Sequence, residues 1–259
     1  MNKIHPTAII SPNAVLGDGV EVGPYVFIDE NVTIGDGCKI HPHAVIFSYV
    51  KIGKDCEVFP GAVVGAIPQD LKYDGEVSYV EIGDNVTIRE CATINRGTEA
   101  SGKLLTRVGS DCLIMSYVHI AHDCRIGDHC VFSSFSGFAG EVDVDDWAVV
   151  GGGTMVHQFS HIGEHAMLGG ASGVTKDVPP YAITGRNPAV FEGVNLIGLR
   201  RRNFPIETIN EISAIYKLIY NSGLNVSDAC RQVSELFEVS DHRDKILRFI
   251  ETSKRGIVR

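Results

Sequence analysis

The chain has 259 residues, a formal net charge of −9, 44% hydrophobic and 21% charged residues; this ordinary globular balance excludes a disordered or collagen-like chain. The acidic total argues against bulk nucleic-acid binding, which needs a basic face. No apolar run approaches the roughly 18 residues of a membrane-spanning helix, so no stable membrane insertion is expected.

From Ile4 onward every sixth residue is aliphatic: Ile10, Leu16, Val22, Ile28, Ile34, Ile40, Ile46, Ile52, Val58 and Val64. Two positions earlier stands a small or apolar residue, as in Ala8, Ala14, Val20, Cys38, Ala44 and Cys56. A helix would show spacings of three and four, and a half-buried antiparallel strand would alternate every two residues. A period of six fits a parallel β-helix of hexapeptide repeats, in which three sides make a coil of 18 residues and residue i stacks beneath i+18. The aliphatic residue points inward and the small one fits beside it. Gly-Asp pairs often follow the aliphatic (Gly17-Asp18, Gly35-Asp36, Gly83-Asp84, Gly127-Asp128), where a turn needs permissive backbone.

The period skips from Val64 to Ile82, then runs through Ile88 and Ile94. It breaks again before Val108, then continues from Ile114 to Val174, with Phe132 and Phe138 among its inward positions. Both interruptions, near 66–79 and 97–107, are expected to be loops extruded from the solenoid, and loops on a rigid scaffold commonly carry function. The first is expected to preserve coil phase as one full turn, and the second is not. Cys38, Cys56, Cys112, Cys124 and Cys130 occupy the small slot, where a thiol packs as a small hydrophobe. With no CxxC pair, a disulfide framework or zinc ribbon is disfavoured. The start, MNKIHPTAII, lacks a secretory apolar stretch, so a cytoplasmic protein is expected.

Composition shifts near Gly185–Pro188. Residues 1–186 hold 12 basic and 23 acidic side chains, and residues 187–259 hold 11 and 9. The reading is a β-helix over 1–190 and a helical domain over 191–259. Three short helices are expected, the first carrying Ile206, Ile209, Ile212, Ile215, Tyr216 and Ile219. They would shield an open solenoid end, while Arg200-Arg201-Arg202 hints at a further role.

Six of the ten histidines lie between 119 and 165. In His119-Ile120-Ala121-His122-Asp123, Ile120 points inward and places His122 and Asp123 on the following outer turn. A surface His beside a carboxylate can serve as a base, because the carboxylate fixes the tautomer and supports the imidazolium. The bland alternative is solvated decoration, the role expected for His43, His129 and His165. A metal site from His119, His122, Asp123 and His157 is the weaker reading: His157 stacks two coils from His122, roughly 10 Å away, too far for one ion. No cofactor is expected either. Gly140, one coil above His122, offers a backbone N–H beside the base that could receive an oxyanion. No G-x-S-x-G, Walker or dinucleotide glycine motif is present, which favours direct base-assisted transfer over a covalent intermediate.

The segments Gly65-Ala-Ile-Pro-Gln69-Asp70-Leu-Lys72-Tyr73, His119-Ile-Ala-His122-Asp123, Val156-His157-Gln158-Phe159 and Gly193-Val-Asn195-Leu-Ile-Gly198-Leu-Arg200-Arg201-Arg202, together with the tail Ser253–Arg259, resemble the UDP-N-acetylglucosamine O-acyltransferase family of lipid A synthesis over essentially the whole chain. The hexads alone resemble only the wider hexapeptide-repeat acyltransferase superfamily. The resemblance implies a left-handed coil and a homotrimer with active sites at subunit interfaces. It further implies transfer of an (R)-3-hydroxyacyl group from acyl carrier protein to the 3-hydroxyl of UDP-N-acetylglucosamine. By the same resemblance His122 is the general base, Asp123 its orienter and the Gly140 N–H the oxyanion donor. His119 would line the site, Gln69, Asp70 and Lys72 would meet substrate, and His157 and Gln158 would contact the nucleotide sugar. Asn195, Arg201 and Arg202 would hold uracil or phosphate, and Gly170 would set acyl-chain length. Acidic acyl carrier protein is expected to dock on the basic tail. Glu141, where relatives carry His, is expected near substrate and should raise the pKa of His122; Ile197, where an acidic residue is usual, is the other departure. An N-acyltransferase on a UDP-amino sugar and a non-catalytic repeat scaffold are the alternatives.

Overall fold

Each hexad folds into a two-residue strand and a four-residue corner. In the computed structural model, which describes residues 1–259, the strands stack into three sheets around a left-handed triangular coil. The first face runs from Lys3–Ile4 up to Ala182–Gly185, the second from Ile9–Ile10 to Gly173–Val174, and the third from Val15–Leu16 to His161–Ile162. Pairing is parallel with the expected offset, Ile10 beside Ile28 and Ile28 beside Ile46. In most strands the first residue faces out and the aliphatic second is buried, so the periodic positions form one continuous core from Val20 to Val178. Ile4 is an exception, 48% exposed because no coil lies below it.

The corners explain the turn residues. One residue per side adopts positive φ, at six-residue intervals such as Tyr25, Asn31, His43, Tyr49 and Asp55, with Gly19, Gly37 and Gly61 filling the same slot. This backbone costs a non-glycine residue roughly 1–2 kcal/mol, offset here by coil stacking on both sides. On the corner between the third and first faces, aspartates of one coil cap the amides of the coil below. Asp36 Oδ1 accepts from the Asp18 N–H at 2.9 Å, and Asp146 Oδ1 from the Asp128 N–H at 2.8 Å. The glycines before them are required by contact: a Cβ on Gly53 would lie 2.3 Å from Asp84 Oδ1 and 2.6 Å from the Gly83 carbonyl.

Both interruptions leave the solenoid from the same corner, between the second and third faces, in consecutive coils. Strand Val63–Ala66 of the second face is followed by Tyr79–Ile82 of the third, and Thr93–Asn95 by Leu105–Val108. The first interruption is therefore not a full turn. It is one side lengthened by twelve residues, since Ile52 pairs with Ile82 thirty positions on. The loops proper span 67–78 and 96–104.

The expected boundary at 190/191 falls inside a strand. Val190–Val194 turns back antiparallel on Ala182–Gly185 and extends the first face. Four helices follow rather than three: α1 (Leu196–Arg201), α2 (Ile206–Asn221), α3 (Val226–Leu236) and α4 (Asp241–Thr252). The short α1 carries no apolar period of its own. The helices enclose a second core around Ile212, Ile215, Tyr216 and Ile246. The tail then returns to the solenoid, where Ile257 bridges Asp177 and Val258 joins the main core. No helix is long and apolar enough to cross a membrane.

Candidate active site

The corner 121–124 lies directly above the two loops. The second loop leaves the strand after Asn95, and Thr98 folds back over the corner above it. Its N–H donates to Asp123 Oδ1 at 2.9 Å and Oδ2 at 3.1 Å, and its hydroxyl donates to Oδ2 at 2.7 Å. From below, the Thr106 hydroxyl accepts the Asp123 N–H at 2.8 Å. Asp123 is consequently wholly buried and His122 is 7% exposed. The sequence expectation of a surface pair is corrected here, because a loop absent from the hexad pattern covers it. Gly97 permits that cover, since a Cβ there would stand 2.7 Å from Asp123 Oδ1.

His122 Nδ1 stands 2.8 Å from Asp123 Oδ2. A carboxylate only accepts, so Nδ1 carries the proton and Nε2 presents its lone pair. Nε2 faces Asp70 Oδ2 of the first loop at 3.6 Å. The bond from Asp123 is the main influence raising the pKa of His122 above 6.5; burial works against it, and the charges of Asp123, Asp70 and, last, Glu141 add to it. Burial alone would push the Asp123 carboxyl up, but bonds from His122, Thr98 and Ser101 outweigh it and hold the group below 3.8. The result is an ionised carboxylate orienting an imidazole whose Nε2 readily takes a proton.

Gly140 lies in the next corner up. A Cβ on it would fall 2.3 Å from His122 Nε2, so only glycine leaves the ring in place. Its N–H makes no hydrogen bond within the chain. An unengaged amide beside an unprotonated ring nitrogen can stabilise negative charge developing on an oxygen while the ring removes a proton. His119 lines the same wall with Nδ1 2.7 Å from the Thr93 hydroxyl; burial, then His122, lowers its pKa.

Comparison with known proteins is decisive at this point. Residues 177–258 match the family described as "Udp N-acetylglucosamine O-acyltransferase; Domain 2", and 13–48 and 105–140 match "Bacterial transferase hexapeptide (six repeats)". The acyl-[acyl-carrier-protein]–UDP-N-acetylglucosamine O-acyltransferase of Burkholderia mallei is 50% identical over 264 residues, covering 100% of both chains. The solved UDP-N-acetylglucosamine acyltransferase of Bacteroides fragilis matches with a TM-score of 0.95 at 46% identity over 99% of this chain and 100% of that one. The Arabidopsis enzyme matches with a TM-score of 0.88 at 35% identity, over 99% and 100%. The chain belongs to the UDP-N-acetylglucosamine O-acyltransferase family.

In this acyltransferase the remaining expected residues divide among the prism's edges. On the catalytic edge, Asp70 accepts the Lys72 N–H at 3.0 Å in a local turn, while the Gln69 and Lys72 side chains are exposed. Glu141 is half-buried at φ 59°, and Gln158 stacks two coils above His122, next to the exposed His157. Gly170 is exposed on the edge between the first and second faces. Asn195 and the arginines lie on the third-to-first side. Asn195 is buried and its amide is committed: Oδ1 caps α1 at the Gly198 N–H and Nδ2 donates to the His165 carbonyl. Arg201 is exposed. Arg202 stacks on Trp147 at 5.1 Å and donates to its carbonyl, leaving Nη1 without a partner. His165 is not the solvated decoration expected. It is 9% exposed, stacked between Trp147 and Tyr181, with burial driving its pKa to about 4. Thr98, Thr106 and Gly97 were missed by sequence reasoning; only Thr106 carried a signal, as the small residue two before Val108.

Proposed function

We propose that this chain transfers an (R)-3-hydroxyacyl group from acyl carrier protein to the 3-hydroxyl of UDP-N-acetylglucosamine, the first step of lipid A biosynthesis, in the cytoplasm. His122 Nε2 removes the sugar O3 proton, and O3 attacks the thioester carbonyl carbon. The Gly140 N–H receives the oxyanion. The C–S bond then breaks, and the proton on His122 passes to the thiolate, giving the ester and the free carrier thiol. A thioester is already activated, so base catalysis, worth typically 10²–10⁴-fold, plus positioning suffices without a covalent intermediate. The observation that carries the reading is the Asp123–His122 pair with Nε2 open beside the free Gly140 amide.

Asp70, Gln69 and Lys72 meet substrate from the first loop, His119, His157 and Gln158 line the same edge, and Gly170 limits acyl length. Arg201 and Arg202 hold the nucleotide; Asn195 serves them by fixing the start of α1. Because these groups stand on different edges, one site unites them only when a second copy supplies the arginines. The lower outward column of the second face supports such an assembly: Ile9, Phe27, Val45 and Val63 are apolar, and above them Thr93, His119 and Gly137 precede Met155. The upper first face continues it with Leu113, Val131, Val149 and Met167. An apolar stretch on the lower second face and another on the upper first face suit a closed ring by head-to-tail contact, here a homotrimer with sites at its interfaces. The third face instead carries Lys51, Glu81, Arg107, Arg125 and Asp143.

The test is mass analysis of products from purified protein, a ladder of acyl carrier protein thioesters, and UDP-N-acetylglucosamine or its 3-amino analogue side by side. An ester on the first acceptor is expected. An amide product alone, or no product, would overturn the assignment.

A further inference from the structure

The corner between the third and first faces changes character up the coil. Its left-handed slot holds only Gly, Asp or Asn in the lower coils, as at Gly19, Gly37 and Asp111, and then His129, Trp147, His165 and Tyr181 in the upper four. These four rings form one column. His129 stacks on Trp147 at 4.0 Å, Trp147 on His165 at 6.1 Å and His165 on Tyr181 at 5.7 Å, with interplanar angles of 22°, 14° and 15°. His165 and Tyr181 are buried, whereas Trp147 is 37% exposed. The column is tied to the start of α1, since the His165 carbonyl accepts from Asn195 Nδ2 and Asn195 Oδ1 caps the helix. At the other end of α1, Arg202 returns to Trp147. Its guanidinium carbon lies 5.1 Å from the ring centre, Nη2 donates to the Trp147 carbonyl at 3.0 Å, and Nη1 is buried without a partner. Burial draws the Arg202 pKa below 12.5, and no carboxylate offsets this.

We propose that Trp147 is a positioning residue for the acyl acceptor: its indole holds the Arg202 guanidinium in place without neutralising it, a role that rests on the reading of Arg202 above as a group that holds the nucleotide. A carboxylate would orient the guanidinium equally well, but it would also cancel the charge and compete with an incoming phosphate. An aromatic face orients the planar group through stacking and the ring quadrupole, and leaves its charge available. The neighbouring His165 adds no opposing charge, because burial, then the charge of Arg202, push its pKa to about 4 and keep the ring neutral. The fork of a guanidinium matches two phosphate oxygens at once, so a nucleoside diphosphate supplies the counter-charge that this chain withholds. Engagement also gives Nη1 the partner it lacks, which shifts the guanidinium on the indole. Trp147 is the only tryptophan in the chain, so its emission reads that shift without background.

The experiment titrates wild-type protein with UDP, read in parallel by tryptophan emission and by calorimetry, and then compares Trp147→Leu, which removes the aromatic face, with Trp147→Phe, which keeps one. A saturable change in emission with the calorimetric midpoint is expected. Trp147→Leu is expected to weaken UDP binding and to raise KM for UDP-N-acetylglucosamine about fivefold, the effect of losing a partly desolvated cation–ring contact. Its kcat and its KM for the acyl carrier protein thioester stay unchanged. Trp147→Phe should remain within about twofold of wild type, since a smaller ring still presents a face. A Leu variant that lowers Tm but keeps its KM for UDP-N-acetylglucosamine, losses shared equally by both substrates, a Phe variant no better than Leu, or calorimetric binding of UDP with unchanged emission each overturn the proposal. Wild-type protein that binds no UDP by calorimetry is a different result: it defeats the nucleotide-holding role of Arg202 itself, and the Trp147 assignment with it.

Discussion

At the residue scale the chemistry narrows to one imidazole and the groups that hold it. In the proposed mechanism His122→Ala removes the base and is expected to lower kcat by about 10²–10⁴-fold with an unchanged circular dichroism spectrum; retained turnover would point to another base. Gly140→Ala drives a methyl to 2.3 Å from Nε2. Displacing the ring by about 1 Å is expected to cost on the order of 10²-fold in kcat, with a smaller effect on Tm. The proposed mechanism needs the neutral ring, so kcat/KM should rise with pH on a limb lying above 6.5, because Asp123, then the surrounding charges, raise that pKa. The same shift acts oppositely on stability. The folded state favours imidazolium, so that contribution is complete below pH 6.5 and fades as pH rises through the folded value. Asp123 is lowered, so its contribution is present above pH 3.8 and is lost as pH falls through its depressed value. Glu141→Gln removes the weakest of the charges acting on His122 and should move the activity limb to lower pH. Superimposable profiles would refute a role for Glu141.

At the element scale, the solenoid is a stack of corners, and the second loop locks onto one of them. Thr98→Val deletes a charge-assisted bond to a buried carboxylate and is expected to cost about 1.5–3 kcal/mol, read as a lower denaturation midpoint together with reduced kcat. An unchanged midpoint would mean that the loop is not held by Asp123. How much of this was legible depended on whether the element repeats. The hexads were readable residue by residue, since every sixth position must face inward whatever the rest of the chain does. The loops were readable only as gaps. Nothing in Thr98 or Gly97 announces that they cover Asp123, because that contact joins residues 25 positions apart with no period between them. The helix α1 was invisible for a related reason: six residues are too few to display a helical period, and its start is fixed by the Asn195 amide cap rather than by an apolar stripe.

At the scale of the whole molecule, His122 and Arg202 lie on different edges of the prism. If one site takes His122 from one copy and Arg202 from another, then mixing His122→Ala and Arg202→Ala chains, unfolded and refolded together, should yield activity above either parent. Activity no higher than the parents would put both residues to work within one chain. Val63→Lys on the apolar second face should lower the mass seen by light scattering and abolish turnover together; a fully active monomer would defeat the interface reading.

The sequence by itself determined the coil: its period, its inward residues, its small slots and the identity of the His-Asp pair, because a repeat contacts only its neighbours and each contact recurs at a fixed offset. Tertiary structure decided the rest. It put two unrelated insertions on one corner, buried His122 and Asp123 beneath the second, assigned Asn195 to a helix cap and His165 to an aromatic stack, and carried the chain's last residues back to the solenoid core. Those outcomes depend on contacts between segments that share no period, and a one-dimensional pattern records only what repeats.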